Sequence, residues 1–249
     1  MKRLCWICPG CLEMLKDVYF PQTYLTPFPE PGAVFAEPVS KYTKHLHPLA
    51  SIDLSIIDAA WSGKIHMLAP MEPCDGCIGD SAEDFYTDYL NYNWLGFKLS
   101  AEHRYELCGD FKYFMVERPE GPEPFPGARD ELEEFYTEER KKFDAARANF
   151  LNRQELNSIH HRDLTPKPNI TFSALQQIGG GVTSGALSYG QGIALDESDP
   201  GDVVPLTPDG TRFRFIASVP AWHYGLSGAE IFLFFEPSNR IALFAYHYD

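Results

Sequence analysis

Five of the six cysteines in this 249-residue chain fall into two tight clusters, and clustered thiols can bind a metal ion. The first cluster reads C-W-I-C-P-G-C over residues 5–11, and the second reads C-D-G-C over residues 74–77. Two Cys-x-x-Cys pairs separated by a long insertion are the sequence form of a zinc site with four thiolate ligands. The insertion is longer than usual, but the entropic cost of closing a loop grows only logarithmically with its length. We therefore predict a bound zinc ion; free surface thiols, an iron–sulfur cluster and a redox pair are the alternatives.

The first cluster contains two possible zinc-binding pairs. Pro9 follows Cys8 directly, and proline cannot adopt the positive φ that often follows the second cysteine of a zinc knuckle. The pair Cys8 and Cys11 avoids this conflict and places the flexible Gly10 inside the loop. The predicted ligands are Cys8, Cys11, Cys74 and Cys77, with Cys5 as the alternative in the first pair. Four thiolates close the coordination sphere, so the zinc would be structural, and Cys108 is predicted to be a buried, inert thiol.

Two histidines are the other candidates for chemistry. His45 and His47 place two imidazoles on the same side of an extended segment, and Asp53 follows nearby in the sequence. This set could form a metal or acid–base site, but the sequence favours a plain surface loop. His223, between two predicted strands, is expected to fasten a loop. No Ser/His/Asp or Cys/His arrangement follows from spacing, so we predict no catalytic residue.

The triple glycine Gly179–Gly181 is a possible phosphate-binding loop. It lacks the Gly-Lys-Ser/Thr ending and the Gly-x-Gly-x-x-Gly spacing that phosphate loops use. We predict instead a turn that allows two backbone segments to approach closely.

The charge of the chain favours some partners over others. It carries 35 acidic and 21 basic side chains, for a net charge of −14. Such a field repels nucleic acid, whose binding needs Lys and Arg, and steers a basic protein partner towards the surface. No apolar run reaches the ~18 residues of a membrane span or the length of a secretory signal. We expect a cytoplasmic chain, where reduced thiols favour metal over disulfide.

The pattern of apolar residues predicts the elements that position these groups. A 3.6-residue period from Asp130 to about Gln154, interrupted at Glu139, predicts a long helix. Two hairpins are predicted, over 203–218 with an Asp-Gly turn and over 230–248. The side chains predicted to be buried are Phe213, Phe215, Ile231, Leu233, Phe235, Leu243 and Tyr246.

Three further segments receive predictions. A capping box at Ser81 and Asp84 predicts a helix that carries Phe85, Tyr89 and Tyr92 on one face. L-G-F-K-L-S and F-K-Y-F-M-V-E are interpreted as strands, and 155–170 as a polar linker. The predicted fold class is α+β, with a mainly antiparallel β-sheet, one long helix and a four-cysteine zinc knuckle. Residues 1–160 would form a cysteine-bearing region and 161–249 a β-rich region, or both together one compact unit.

The β-rich region resembles a known family. The motifs are F-R-F-I-A-S-V-P-A-W-H-Y, G-A-E-I-F-L-F-F-E-P and I-A-L-F-A-Y-H-Y-D over 213–249, with Q-Q-I-G-G-G upstream. They resemble the closing part of the YwqG-like family of bacterial proteins, over residues 165–249. Ser218 stands where the family has glutamine, and the proline that follows the family's glycines is absent. The resemblance implies a β-rich fold without established enzymatic activity, and some relatives are suspected immunity proteins encoded beside secreted toxins.

Three functions follow as hypotheses. The first is a cytosolic, non-enzymatic immunity protein that blocks the active site of a toxin with a basic surface. The second is a metal-dependent hydrolase or transferase that uses His45, His47 and a carboxylate. The third is a structural subunit of a larger assembly.

Overall fold

The computed structural model describes residues 22–72, 77–118, 128–159, 164–187 and 190–248. In these ranges the chain is an α+β protein with antiparallel sheets and one long helix, as predicted. The strands are β1 Leu25–Pro27, β2 Leu46–Asp53, β3 Lys64–Pro70, β4 Leu90–Asn91, β5 Trp94–Leu99, β6 Tyr105–Leu107, β7 Leu156–Ile159, β8 Pro166–Phe172, β9 Gln177–Ile178, β10 Leu195–Asp196, β11 Val204–Pro205, β12 Arg214–Pro220, β13 Glu230–Glu236 and β14 Ile241–His247. The helices are α1 Pro31–Val34, α2 Val39–Thr43, α3 Ala128–Arg153 and α4 Ser184–Leu187.

A seven-stranded antiparallel sheet is the largest in the described part of the chain. Its order is β4-β5-β14-β13-β12-β9, and β6 joins the outer edge of β5 beside β4. β14 pairs with β5 from Ile241 opposite Lys98 to Ala245 opposite Trp94. The sheet therefore combines strands from both sides of residue 160.

Both faces of this sheet are buried, which explains why its strands are almost continuously apolar. One face packs into the main core and the other into a second cluster that contains Trp94, Phe213 and Phe234. All seven side chains predicted to be buried are buried. Each contributes about 1.5–3 kcal/mol to folding relative to an exposed side chain.

A three-stranded sheet, β1-β2-β3, packs with α3 on the main core. The ring of Phe28 joins the two, because it lies 5.4 Å from Phe143 and Phe150 of α3 and 5.1 Å from Tyr224. The observed helix confirms the predicted one to within two residues at either end.

The prediction of a helix after Ser81 is wrong. The segment holds only a 3-10 turn, Glu83–Phe85, before β4 begins. Ser81 has a left-handed backbone, with φ of 54°, instead of the extended conformation typical of an N-cap residue. Tyr89 packs across Gly96 of β5, where a Cβ atom would lie 2.5 Å from that of Tyr89. Pairing with the sheet edge therefore decides the conformation.

Three other predictions need correction. F-K-Y-F-M-V-E forms two 3-10 turns, Phe111–Tyr113 and Met115–Glu117, and the Asp110 carboxylate accepts a hydrogen bond from the first turn. The segment predicted as a polar linker contains β7 and β8, which pair with each other despite their polar composition. The hairpin predicted over 203–218 is present only close to its turn, where Leu206 and Arg212 form an antiparallel bridge; further out, β11 pairs with β10 and β12 joins the large sheet. The second predicted hairpin is confirmed as β13 and β14.

Candidate functional site

The predicted zinc ligands lie mostly outside the described residues. Cys5, Cys8, Cys11 and Cys74 fall in the ranges that the structure does not describe. Cys77 is a half-buried free thiol, and its hydrogen bond with Tyr92 raises the pKa of that phenol to about 12. Within the described ranges, no three His, Cys, Asp or Glu side chains come together as a metal-binding group. Cys108 is half-buried, and burial raises the pKa of its thiol to about 12, so it stays protonated at neutral pH.

The two candidate histidines are core residues. The prediction that they lie in a surface loop is therefore wrong. His45 stacks on Phe114 at 4.4 Å, and its Nε2 lies 2.9 Å from a Glu117 carboxylate oxygen. His47 stacks on Phe143 at 4.2 Å. Burial lowers the pKa of His45 to about 4 and that of His47 to about 3, so both rings are neutral at pH 7.

Asp53 does not join the two imidazoles. Its carboxylate accepts hydrogen bonds from the Ser55 backbone N–H at 2.9 Å and from the Ser55 hydroxyl at 2.7 Å. These bonds cap the 3-10 turn Leu54–Ile56.

The glycine run and His223 behave as predicted. Gly179 and Gly180 have positive φ, and a Cβ atom on Gly181 would lie 2.0 Å from the Gly201 carbonyl oxygen. The run is therefore a turn with close backbone approach. Nδ1 of His223 lies 2.9 Å from the Ser173 carbonyl oxygen, which fastens the loop after β12.

A surface pocket next to this loop has the features of a binding site. We call it the Trp222 pocket; its volume is about 500 Å³. It is lined by Gln176, Pro220, Trp222, His223, Gly228, Glu230 and His247. Glu230 and His247 are cross-strand partners where β13 begins and β14 ends, so the sheet fixes one wall.

Trp222 is the half-exposed residue of a turn whose other side chains are buried. The 3-10 turn Ala221–Tyr224 buries its other three side chains and ends at Gly225, whose φ is 74°. The Tyr224 hydroxyl donates to the Ala174 carbonyl at 2.9 Å. Trp222 nevertheless stays 49% exposed and packs edge-on against the His223 ring at 4.4 Å. The half-exposed indole and the Glu230 carboxylate line the same pocket, a combination that suits a cationic side chain, because an indole face attracts cations and a carboxylate pairs with them.

A second pocket, of about 410 Å³, has a serine and a histidine in its lining. Ser51 of β2 and His66 of β3 are cross-strand partners, and Ser51 Oγ lies 2.7 Å from His66 Nδ1. Nε2 of His66 lies 3.1 Å from the His103 carbonyl oxygen. We call this arrangement the Ser51–His66 pair.

Sequence reasoning missed both pockets. Trp222 stands in the quoted F-R-F-I-A-S-V-P-A-W-H-Y, but its exposure depends on the burial of its neighbours, which spacing does not reveal. Ser51 and His66 lie in two short apolar runs, L-A-S-I-D-L-S-I-I and K-I-H-M-L-A, of which only the first shows the alternation typical of a strand. A register for the β2–β3 pair would have placed them opposite each other.

Comparisons with known proteins add no relative. No family model matches the chain, and neither a curated protein nor a solved structure matches it. Among the helices of the described ranges, none combines the length and apolar character that crossing a bilayer requires.

Proposed function

We propose that this chain is a cytosolic binding protein that neutralises a bacterial toxin by a non-enzymatic mechanism, the covering of the toxin's basic active-site surface. The observation that carries the proposal is the exposed Trp222 at a pocket whose wall includes Glu230. Tryptophan is enriched among residues that dominate binding energy, and such residues lie beside well-packed pockets. The resemblance to the YwqG-like family supports the same class of function.

The charge of the chain fits a basic partner. A net charge of −14 accelerates the approach of a positively charged surface and disfavours acidic competitors. In the proposed complex an Arg or Lys side chain of the toxin occupies the Trp222 pocket. It stacks on the indole and pairs with the Glu230 carboxylate.

A structural zinc ion remains part of the proposal. Cys8, Cys11, Cys74 and Cys77, with Cys5 as the alternative, would tie the first residues to the segment that precedes β4. Such an ion would stabilise the binding protein and take no part in a reaction.

The proposal is tested by measuring binding to the protein encoded by the adjacent gene. The immobilised chain is titrated with that protein at two salt concentrations, and the toxic activity is assayed with and without the chain. We expect micromolar or tighter binding that weakens with salt, together with loss of the toxic activity.

Trp222→Ala tests the surface, and Leu151→Ala is the matched control, because Leu151 is a similarly exposed apolar residue at the end of α3. The surface proposal requires that Trp222→Ala weaken binding much more than Leu151→Ala. Absence of any binding at micromolar concentration would contradict the function.

A further inference from the structure

We propose that Ser51 is a nucleophile activated by His66, and that the pair forms a covalent acyl-serine with small esters. This site lies on β2 and β3, apart from the Trp222 pocket, so the inference does not depend on the proposed function.

The hydrogen bonds define the direction of proton transfer. The His103 carbonyl oxygen can only accept, so Nε2 of His66 carries a hydrogen and donates it over 3.1 Å. In a neutral imidazole the other nitrogen, Nδ1, then holds a lone pair. The Ser51 hydroxyl, 2.7 Å away, must therefore donate to Nδ1. This is the relationship of nucleophile, base and orienting group, with a backbone carbonyl as the orienting group.

The base is held on both sides. The Tyr105 hydroxyl accepts from the His66 backbone N–H at 2.9 Å and donates to the His66 carbonyl at 2.7 Å. His103, which orients the imidazole, has a left-handed backbone with φ of 62°. Its ring packs against Gly63, where a Cβ atom would lie 2.2 Å from it. Neither the backbone of His66 nor the orienting residue has room to shift freely.

The pocket reaches the pair, although Ser51 and His66 are only 3% and 2% exposed, so the pair is open to a small reactive group and closed to a bulky one. Its volume of about 410 Å³ lies within the usual range of small-molecule sites. Glu30 and Glu102 in its lining are well exposed, and each forms an ion pair with an arginine, Arg147 and Arg104 respectively. The lining also includes the exposed Lys64, whose ammonium is available to stabilise an oxyanion.

The reaction balances with an ester and water. Ser51 Oγ bonds to the acyl carbon while its proton moves to His66 Nδ1. The bond from the acyl carbon to the alcohol oxygen breaks, and the alcohol leaves with the proton from Nδ1. Water then attacks the acyl-serine, gives a proton to Nδ1, and the acid departs as Ser51 regains its proton. Burial lowers the pKa of His66 to about 4, so the imidazole is neutral at pH 7 but weakly basic, and turnover is slow.

A fluorophosphonate with a short alkyl group is the probe, because it needs only the first step. The serine oxygen bonds to phosphorus, fluoride leaves, and the serine proton moves to His66. Folded protein at pH 7.5 is treated, digested and analysed by mass spectrometry for the modified serine. We expect an adduct on Ser51 in the wild type and in Ser55→Ala, whose hydroxyl is bonded to a carboxylate.

The variants separate a nucleophile from a structural hydrogen bond. Ser51→Ala abolishes the adduct, and His66→Gln slows labelling by about 100-fold, since a general base contributes about 10²–10⁴-fold. Circular dichroism checks that His66→Gln is folded. If His66→Gln is unfolded, the rate of labelling of the folded wild type is compared with that of the wild type unfolded in urea. The proposal requires that Ser51 react faster in the folded protein. Absence of a Ser51 adduct, or equal labelling in His66→Gln or in urea, overturns the proposal.

Discussion

The Nζ atom of Lys142 lies 2.6 Å from Oε1 of Glu139, and both side chains are almost wholly buried. The second Glu139 oxygen accepts from the Ser227 backbone N–H at 3.0 Å, and Lys142 also donates to the Ser227 hydroxyl at 3.0 Å. The pair thus joins α3 to the turn that precedes β13. It accounts for the charged interruption in the apolar period of the helix.

Lys142→Met is expected to destabilise the fold by about 3–5 kcal/mol, because it leaves the Glu139 carboxylate buried without its cation. Lys141→Met is the matched control: Lys141 and Glu138 have the same 2.6 Å distance and spacing, but both are well exposed. Such an exposed pair contributes about 0–1 kcal/mol. Urea unfolding of both variants measures the difference, and equal losses would contradict the assignment.

The free energy of unfolding of Glu72→Gln, relative to that of the wild type, is expected to increase as the pH rises. The Glu72 carboxyl is buried and accepts from the Tyr136 hydroxyl at 2.7 Å, and burial raises its pKa from 4.5 to about 7. The folded state therefore holds a proton that the unfolded state releases, and this stabilisation is lost between pH 4.5 and 7. Relative to wild type, the variant should gain about 3 kcal/mol from pH 4.5 to pH 8.

Urea midpoints at several pH values check this result. Glu138→Gln, at an exposed position of α3, controls for the loss of one negative charge. A constant difference between Glu72→Gln and wild type would disprove the linkage.

His47→Met is expected to reduce acid sensitivity. Burial lowers the pKa of His47 from 6.5 to about 3. Between these two pH values the unfolded chain binds a proton at this residue and the folded chain does not. The free energy of unfolding therefore has its full value with respect to His47 above pH 6.5 and decreases as the pH falls towards 3. At pH 5 this costs the wild type about 2 kcal/mol, which the variant avoids. Unfolding free energies at pH 5 and 7.5 measure the change; parallel pH profiles would refute it.

Elemental analysis of reduced, freshly purified protein tests the metal proposal. We expect about one zinc ion per chain, and a clear loss of zinc in Cys77→Ser. Cys108→Ser should keep its zinc, because the raised pKa of that thiol prevents it from supplying a thiolate. A metal-free wild type, or equal zinc in the wild type, Cys77→Ser and Cys108→Ser, would contradict the predicted zinc knuckle.

Trp222→Ala should weaken binding of a basic toxin by about 2 kcal/mol or more, a roughly 30-fold rise in Kd. Leu151→Ala should change it by less than about 1 kcal/mol. Calorimetric titration with matched unfolding curves separates affinity from stability, since half of the indole is already exposed. A loss of folding in Trp222→Ala would show a structural role instead.

The long helix and the β13–β14 hairpin could be predicted because their signals are local. A 3.6-residue period and a turn between two apolar runs need no knowledge of distant residues. The burial of the seven predicted core side chains could be predicted for the same reason, since each is a large apolar or aromatic residue in or next to an apolar run.

What failed depends on distant partners. Phe85 and Tyr89 show helical spacing, yet Tyr89 packs on Gly96 of another strand. The His45 and His47 pattern suggests exposure, because polar residues usually lie outside, but Phe114 and Phe143 cover the rings. The Ser51–His66 pair needs a strand register, which sequence alone does not fix.

The pairing of β5 with β14 has a consequence for how the protein is made. Most of the chain separates the two strands, so a nascent polypeptide leaving the ribosome carries β5 long before its neighbour is synthesised. Until then one apolar strand edge stays open to incorrect association. Folding of this sheet is therefore a late, long-range event, and chaperone supply should govern the yield of the protein in cells.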